Sequence, residues 1–362
     1  MDVVHIINNL PVGGAEQFLV QLVRTQQSQG MRPRVISLCH PNPLAREIGV
    51  PFECMRRSRL NDPRVIRDLL GALRRQAVDI VHTHLFYADV FGRIAARWQG
   101  VPVLSTVHST EAGALSRRRR WGMKLTLPLV KRIVAVSAAV QTSVCERFGI
   151  SQDTVPIIPN GVDLSEYEHL QGLQRHELGV PRQALLVGCV GRIVASKGYD
   201  TLLRAVAQLP DIHLLMVGEG PEREPLQRLA QELQIADRTT WLGLRRDVPV
   251  ILAALDVFAM PSHWEGHSIA LLEAMAAGCA LLVSDLPELT QTTENAAVTV
   301  TPGDVTSIVA GLQKLHQKDY RRQSATLARK QAQQFTIERS AQAYGKIYNE
   351  LIEAERRRSE DA

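Results

Sequence analysis

Short apolar runs alternate with helical patterns along this chain, and the alternation lapses only once. "VVHIINN" (3–9) is a strand ending in polar residues, and "LPVGGAEQFLVQLVRTQQSQG" (10–30) is a glycine turn leading into a helix closed by Gly30. The pattern continues through "RPRVISL" (32–38), "VDIVHTH" (78–84), a helix over 86–98, "VPVLSTVH" (101–108), a basic helical segment and "RIVAVS" (132–137). A helix over 138–148 and a strand "TVPIIPNGVD" (154–163) close the first run. Nearly continuous apolar strands joined by helices imply parallel sheet covered on both faces. Residues 164–183 are polar and read as a linker with a short helix. From Ala184 the alternation restarts: "ALLVGCVGR", a helix over 198–209, "HLLMVGEG", a helix over 221–234, "TTWLG", a helix over 247–254, "DVFAMPS", a helix over 268–277, "CALLVSD" and "AAVTVTPG".

The expectation is an α/β chain of two doubly wound domains. The first spans 1–163, a linker 164–183 and the second 184–335, with a C-terminal helix over 336–362 packing back toward the first domain. The terminal "ERRRSEDA" reads as a solvated, frayed end. A length of 362 residues with 45% hydrophobic content is enough for two cores and argues against wholesale disorder. No run of eighteen apolar residues occurs. The longest candidate, Val248 to Met260, is interrupted by Asp256, so no membrane span is expected. A strand starting at residue 2 leaves no room for a leader peptide. Five scattered cysteines without metal-like spacing fit reduced core thiols, and a cytoplasmic location is expected.

Doubly wound sheets bind ligands at the carboxyl ends of their strands, and a cleft between two such domains is the expected site. Gly13 and Gly14 follow the first strand and open a helix, which suits either anion approach or a tight turn. In "VGRIVASKGYD" (190–200), Arg192 and Lys197 bracket a strand exit. A guanidinium fork and a point charge there suit a diphosphate, the alternative being two solvated surface cations. In "SHWEGHSIALLEAMAAG" (262–278), Ser268 can cap a helix starting near Ile269. Glu265 precedes that helix and Glu273 lies one turn inside it. Neither has a cation at helical spacing, so neither pairs within the stretch. Glu273 reads as an exposed helix carboxylate or as a partner for ribose hydroxyls. His82 and His84 share one strand face, but no third ligand is near them in sequence. A metal site is therefore not expected.

These segments, taken in order, resemble retaining glycosyltransferases of the GT-B fold, in the family 4 group. The resemblance rests on "GGAEQFLVQLVRTQQSQG", "DIVHTH", "VHS", "AVSAAV", "IPNGVD", "GRIVASKGYDTLLRA", "VGEGPER" and "DVFAMPSHWEGHSIALLEAMAAGC". The last segment carries the family's pair of glutamates separated by seven residues. The resemblance implies two facing Rossmann-like domains with an interdomain cleft, the first on the acceptor side and the second holding a nucleotide-sugar donor. It implies that Arg192 and Lys197 hold the diphosphate and Glu273 the ribose. Glu265 and His108 would lie near the transferred sugar. Backbone N–H groups around Gly266, His267, Ser268 and Ile269 would hold sugar hydroxyls, and Gly13 and Gly14 would sit near the diphosphate and acceptor. His84 is placed on the acceptor side. His267 and Ser268 stand where many relatives have an aromatic residue and a second glycine, which bears on donor-sugar specificity.

The chain has no Asp-x-Asp, so the diphosphate is expected to be held by cations, with no metal and no cofactor. The expected reaction moves a hexose-type sugar to a glycan or lipid-linked acceptor. A sugar-nucleotide epimerase or a non-catalytic nucleotide-sugar-binding protein of the same fold are the alternatives. Between Ala112 and Cys145 there is no acid, while Arg117, Arg118, Arg119, Arg120, Lys124, Lys131 and Arg132 lie inside. With Trp121 and aliphatic residues, segment 116–132 reads as a peripheral contact with anionic lipid, as a solvated face or as a site for an anionic acceptor. It lacks the interleaved aromatics of a nucleic-acid platform, so no nucleic-acid partner is expected.

Overall fold

The computed structural model describes all residues except 111–116, 174, 182 and 361–362, and leaves aside the side chains of residues 117, 118 and 359. The chain forms two compact units. Unit 1 comprises Met1–Gly161 and Ile337–Ala362, and unit 2 comprises Val162–Thr336.

Unit 1 is built on a six-stranded sheet in the order β3-β2-β1-β4-β5-β6. The strands are β1 (Asp2–Ile7), β2 (Arg32–Cys39), β3 (Phe52–Arg57), β4 (Ile80–His84), β5 (Val103–Val107) and β6 (Arg132–Ala135). All pairings are parallel. Its helices are α1 (Gly14–Ser28), α2 (Val65–Arg74), α3 (Phe86–Trp98), α4 (Arg117–Thr126), α5 (Ala138–Phe148) and α13 (Ile337–Glu360). Val4, Ile6, Ile36 and Val81 pack with residues of α2 and α3, while Ile7 and Val35 pack with Leu19 and Val23 of α1. Each such fully buried aliphatic side chain contributes about 1.5–3 kcal/mol.

Unit 2 repeats the plan in the order β12-β11-β10-β7-β8-β9. Its strands are β7 (Leu185–Val190), β8 (Ile212–Val217), β9 (Thr239–Gly243), β10 (Val257–Met260), β11 (Ala280–Ser284) and β12 (Ala297–Val300). Its helices are α6 (Tyr199–Val206), α7 (Arg223–Glu232), α8 (Val248–Ala254), α9 (Ile269–Ala277), α10 (Pro287–Thr293), α11 (Val305–His316) and α12 (Lys318–Ala332).

Three expectations are corrected. Segment 154–163 is not a strand; it makes two isolated bridges, Ile157 to Ala135 and Val162 to Thr336. Pro156 and Pro159 lack the N–H groups a ladder needs. The described residues of 164–183 are part of unit 2 and not a linker; Leu173 N donates to Val250 O at 3.4 Å and Arg175 meets Asp256 at 2.6 Å. The C-terminal residues are exposed but helical through Glu360, anchored upstream by the fully buried Tyr344 and Tyr348 of α13. The sequence reading missed β3 and α2, although Val65, Leu69, Ala72 and Leu73 recur at helical spacing along α2. β3 is a half-buried edge strand, and edge strands lack the continuous apolar pattern.

Candidate functional site

In unit 2 the strand order reverses between β7 and β10, which lie side by side while the chain travels away from β7 through β8 and β9. Loops leaving the carboxyl ends of two such strands diverge and open a crevice. The loop after β7 runs from Gly191 to Gly198. Gly198 has a left-handed φ of 63°, and a Cβ there would stand 2.2 Å from the Pro261 carbonyl oxygen. Only glycine permits that approach, and His263 N donates to Ser196 O at 2.8 Å beside it. The β7 and β10 exits are thereby sewn together.

This brings Lys197 to Glu265, with Nζ donating to Oε1 at 2.6 Å. The two side chains are 17% and 10% exposed, so the pair is shielded without being fully desolvated. Ser262 Oγ donates to the same oxygen at 2.6 Å, and Glu265 N donates to Glu288 Oε1 at 3.1 Å. Glu265 therefore has a cationic partner after all. Pairing rules along one helix could not reveal it, because the partner comes from another strand exit. Arg192 is exposed, and its guanidinium has no hydrogen bond or ion pair among the described residues. It is the cation at this crevice left open to an anion.

Helix α9 starts at Ile269 with Ser268 Oγ accepting from Leu271 N at 3.4 Å, the cap expected from sequence. Ile269 itself is buried in the core, so only its backbone is available to a ligand. Glu273 is only 6% exposed, which removes the reading of an exposed helix carboxylate. Burial pushes its carboxyl up to about 7, the Tyr167 hydroxyl pulls the other way, and the Glu166 charge adds to the rise. The Tyr167 hydroxyl itself lies outside ordinary hydrogen-bond geometry. Half-protonated near neutrality, Glu273 gains from any ligand hydroxyl that replaces lost hydration. Gly266 and His267 are buried between the two glutamates. Burial holds His267 down to about 4, so it offers a neutral donor and acceptor and no charge.

Unit 1 has its own switch point, between β1 and β4. Gly13 caps α1 in an extended conformation, and a Cβ there would stand 2.4 Å from Glu16 Oε2. Gly14 is exposed beside it. His84 is fully buried, so it does not line an acceptor surface directly. Its ring nitrogens meet His5 Nδ1 and His108 Nε2, each at 3.1 Å. His5 comes from β1, which pairs with β4, and this is the third histidine that sequence spacing could not place. The ligating nitrogens of His5, His82 and His84 lie within 4.8 Å of one another, as in a metal site. Their hydrogen bonding fits a network better than a cation. His82 is engaged on both nitrogens, by the Tyr348 hydroxyl and Thr106 Oγ1, each at 2.7 Å. His5 Nε2 is engaged by Gln26 Oε1 at 2.9 Å, and the group holds no acid to offset a dication. Sequence reading missed Tyr167, Glu288, His5, Gln26, Tyr344 and Tyr348. The available signals were a histidine inside the apolar run "VVHII" and two tyrosines four residues apart on one helix.

On α4, Trp121 and Leu125 are 67% and 71% exposed, with Arg120 and Lys124 exposed beside them. Arg119 is held back, over Phe86 and Tyr87 at 5.7 and 5.3 Å from the ring centroids. Of the basic segment, Ser116 lies outside the described residues, and no side chain is described for Arg117 or Arg118.

Two parallel α/β units, each with side chains gathered at a switch point, define a doubly wound α/β protein with its candidate site residues in strand-end loops. The model for Glycosyltransferase Family 4 matches residues 12–166, and that for Glycosyl transferases group 1 matches residues 171–335. The chain belongs to this group 1, family 4 type of glycosyltransferase and has the GT-B fold. It is 30% identical over 257 residues to the UDP-Gal:alpha-D-GlcNAc-diphosphoundecaprenol alpha-1,3-galactosyltransferase of Escherichia coli, covering 67% of this chain and 66% of that protein. It is 32% identical over 246 residues to the D-inositol 3-phosphate glycosyltransferase of Nocardia farcinica, covering 60% of this chain and 54% of the relative. The matches thus span between about half and two thirds of these relatives' lengths. Anabaena HepE, solved in complex with UDP and glucose, superposes with a TM-score of 0.86 at 20% identity, covering 97% of this chain and all of that one.

Proposed function

We propose that this chain is a retaining glycosyltransferase of the hexosyltransferase type, moving a hexose-type sugar from a nucleoside-diphosphate sugar to a glycan or lipid-linked acceptor. The observation that carries the proposal is the Lys197–Glu265 contact of 2.6 Å at the β7/β10 switch point. The bond that breaks joins a sugar to a diphosphate, and a cation beside a carboxylate suits its two sides. Lys197 and Arg192 offset the charge that develops on the departing diphosphate, an electrostatic contribution that needs no metal. Glu265 is assigned to the transferred sugar and Glu273 to the ribose hydroxyls. The backbone N–H groups at Gly266, His267, Ser268 and Ile269 are assigned to the sugar hydroxyls, with the start of α9 favouring partial negative charge. From unit 1, Gly13, Gly14 and His108 are the groups offered to substrate, and His84 acts through His108.

The names of relatives support the choice of substrates. The Escherichia coli protein is named for a UDP-galactose donor and a diphosphoundecaprenol-linked acceptor, and the HepE structure holds UDP and glucose. The exposed Arg120, Trp121, Lys124 and Leu125 support a peripheral contact with an anionic membrane surface, and hence a place on the cytoplasmic membrane face. No described helix is long and apolar enough to cross a membrane.

The reaction is tested by incubating the protein with candidate nucleoside-diphosphate sugars, with and without a lipid-linked glycan acceptor, in the presence of a chelator. Nucleoside diphosphate released only when acceptor is present supports transfer. Release that is absent in every combination, or that requires restored metal, contradicts the proposal.

A further inference from the structure

Four histidines share one face of the unit 1 sheet, under α1 and α13, and three of them are chained. Gln26 Oε1 meets His5 Nε2 at 2.9 Å, His5 Nδ1 meets His84 Nε2 at 3.1 Å, and His84 Nδ1 meets His108 Nε2 at 3.1 Å. A neutral imidazole has one N–H and one lone pair, so each link fixes the next. The direction of the whole chain follows from which amide atom of Gln26 faces His5. The Gln26 carbonyl oxygen can only accept, so His5 carries its proton on Nε2 and leaves Nδ1 bare. His84 must then donate from Nε2, and His108 must do the same. What emerges is a bare lone pair on His108 Nδ1, which is buried and has no partner among the described residues.

On its other side the Gln26 amide meets the Tyr348 hydroxyl, which can accept or donate. Gln26 Nε2 donates to the Tyr348 hydroxyl at 3.2 Å, leaving that hydroxyl to donate to His82 Nδ1 at 2.7 Å. His82 then donates from Nε2 to Thr106 Oγ1 at 2.7 Å. Running every bond backwards would satisfy the interior equally but would leave an N–H buried on His108. An orphaned donor is the rarer and costlier outcome. Burial keeps the four rings neutral, His5 and His108 being lowered to about 4 and His82 and His84 lowered further by neighbouring histidines.

We propose that Gln26, His5 and His84 are positioning residues that set the tautomer of His108 and present its Nδ1 as a hydrogen-bond acceptor for a substrate hydroxyl. The substrate half of this inference rests on the transfer reaction proposed above, and the tautomer half does not. Gln26 lies in the last turn and a half of α1, one strand removed from His108, and would act through two rings without touching substrate.

The test is two-dimensional long-range ¹H–¹⁵N spectroscopy on histidine-labelled wild-type protein and on Gln26→Met. Four imidazoles protonated on Nε2 in the wild type are expected, with Gln26→Met bringing the Nδ1–H form of His108 into the mixture. A wild-type His5, His84 or His108 protonated on Nδ1 overturns the proposal, as does an unchanged tautomer pattern in Gln26→Met. Should Gln26→Met not fold, the wild-type spectrum decides by itself. In turnover assays, Gln26→Met is expected to lower kcat about tenfold or more, as loss of an oriented acceptor does, with nucleotide affinity unchanged. An unaltered kcat with altered tautomers would remove the role toward substrate and overturn that half. A chain with no transferase activity but the expected spectra would place the failure in the functional reading.

Discussion

The Lys197 ammonium reaches the Glu265 carboxylate at 2.6 Å across 68 residues of sequence, joining the exits of two adjacent parallel strands. Together they link the place where a diphosphate would leave to the place where its sugar would stay. Lys197→Ala is therefore expected to lower kcat/KM by roughly 10²–10³-fold, about 3–4 kcal/mol. Steady-state kinetics checks this, with thermal denaturation as a control for any loss of stability. Activity within twofold of wild type would contradict the assignment.

Glu273 predicts a pH dependence of nucleotide binding. Its carboxyl is raised to about 7 in the free protein, so ribose hydroxyls that favour the ionised form make binding release a proton. Affinity for the nucleoside diphosphate should rise as pH rises from about 5 toward 7 and level off above. Glu166 and Tyr167 face the same carboxyl, and the nucleotide's own phosphate titrates too. The quantity to read is thus the difference between wild type and Glu273→Gln in calorimetric titrations. Glu273→Gln should lose the Glu273 share of the slope, and identical slopes would contradict the assignment.

The buried histidines predict acid sensitivity of unit 1. His5 and His108 are lowered to about 4 from 6.5, so their contribution is fully present above pH 6.5 and is lost as pH falls toward 4. At pH 5 the loss is on the order of 2 kcal/mol for each. Buried Asp89 in the same unit is raised and acts with the opposite sign. The comparison of denaturant unfolding at several pH values should therefore be made between wild type and His5→Gln. A shallower slope in the variant is expected, and parallel slopes would contradict the burial argument.

The exposed Trp121–Leu125 face of α4 predicts salt-sensitive binding to vesicles containing anionic lipid. Each cation near such a surface contributes about 1 kcal/mol, so Arg120→Glu with Lys124→Glu should abolish co-sedimentation at low salt. Equal sedimentation of wild type and variant would leave α4 as a solvated face.

The alternation of strands and helices was legible because buried parallel strands write themselves as apolar runs, and the cap Ser268 marked the start of α9. Arg192, Lys197, Glu265 and Glu273 were legible as strand-exit or helix-start residues in glycine-bearing loops. Their mutual arrangement was not, because the approach of Gly198 to Pro261 belongs to the fold and has no local signature. The histidine chain was hidden for the same reason. His5 and His84 are 79 residues apart and become neighbours only when β1 pairs with β4. Tyr167 was hidden inside a polar segment that composition marks as linker, although it packs beside Glu273.

The central claim is that unit 2 holds a nucleoside diphosphate through Lys197, Arg192 and Glu273. The most direct measurement is a thermal-shift series with UDP, GDP, ADP and CMP in the presence of a chelator, on wild type and on Glu273→Ala. One diphosphate nucleotide at 100 times its dissociation constant should stabilise the wild type by about 2.7 kcal/mol. The same nucleotide concentration should shift Glu273→Ala by clearly less. No shift of the wild type with any of the four nucleotides, or an equal shift in both proteins, would contradict the account.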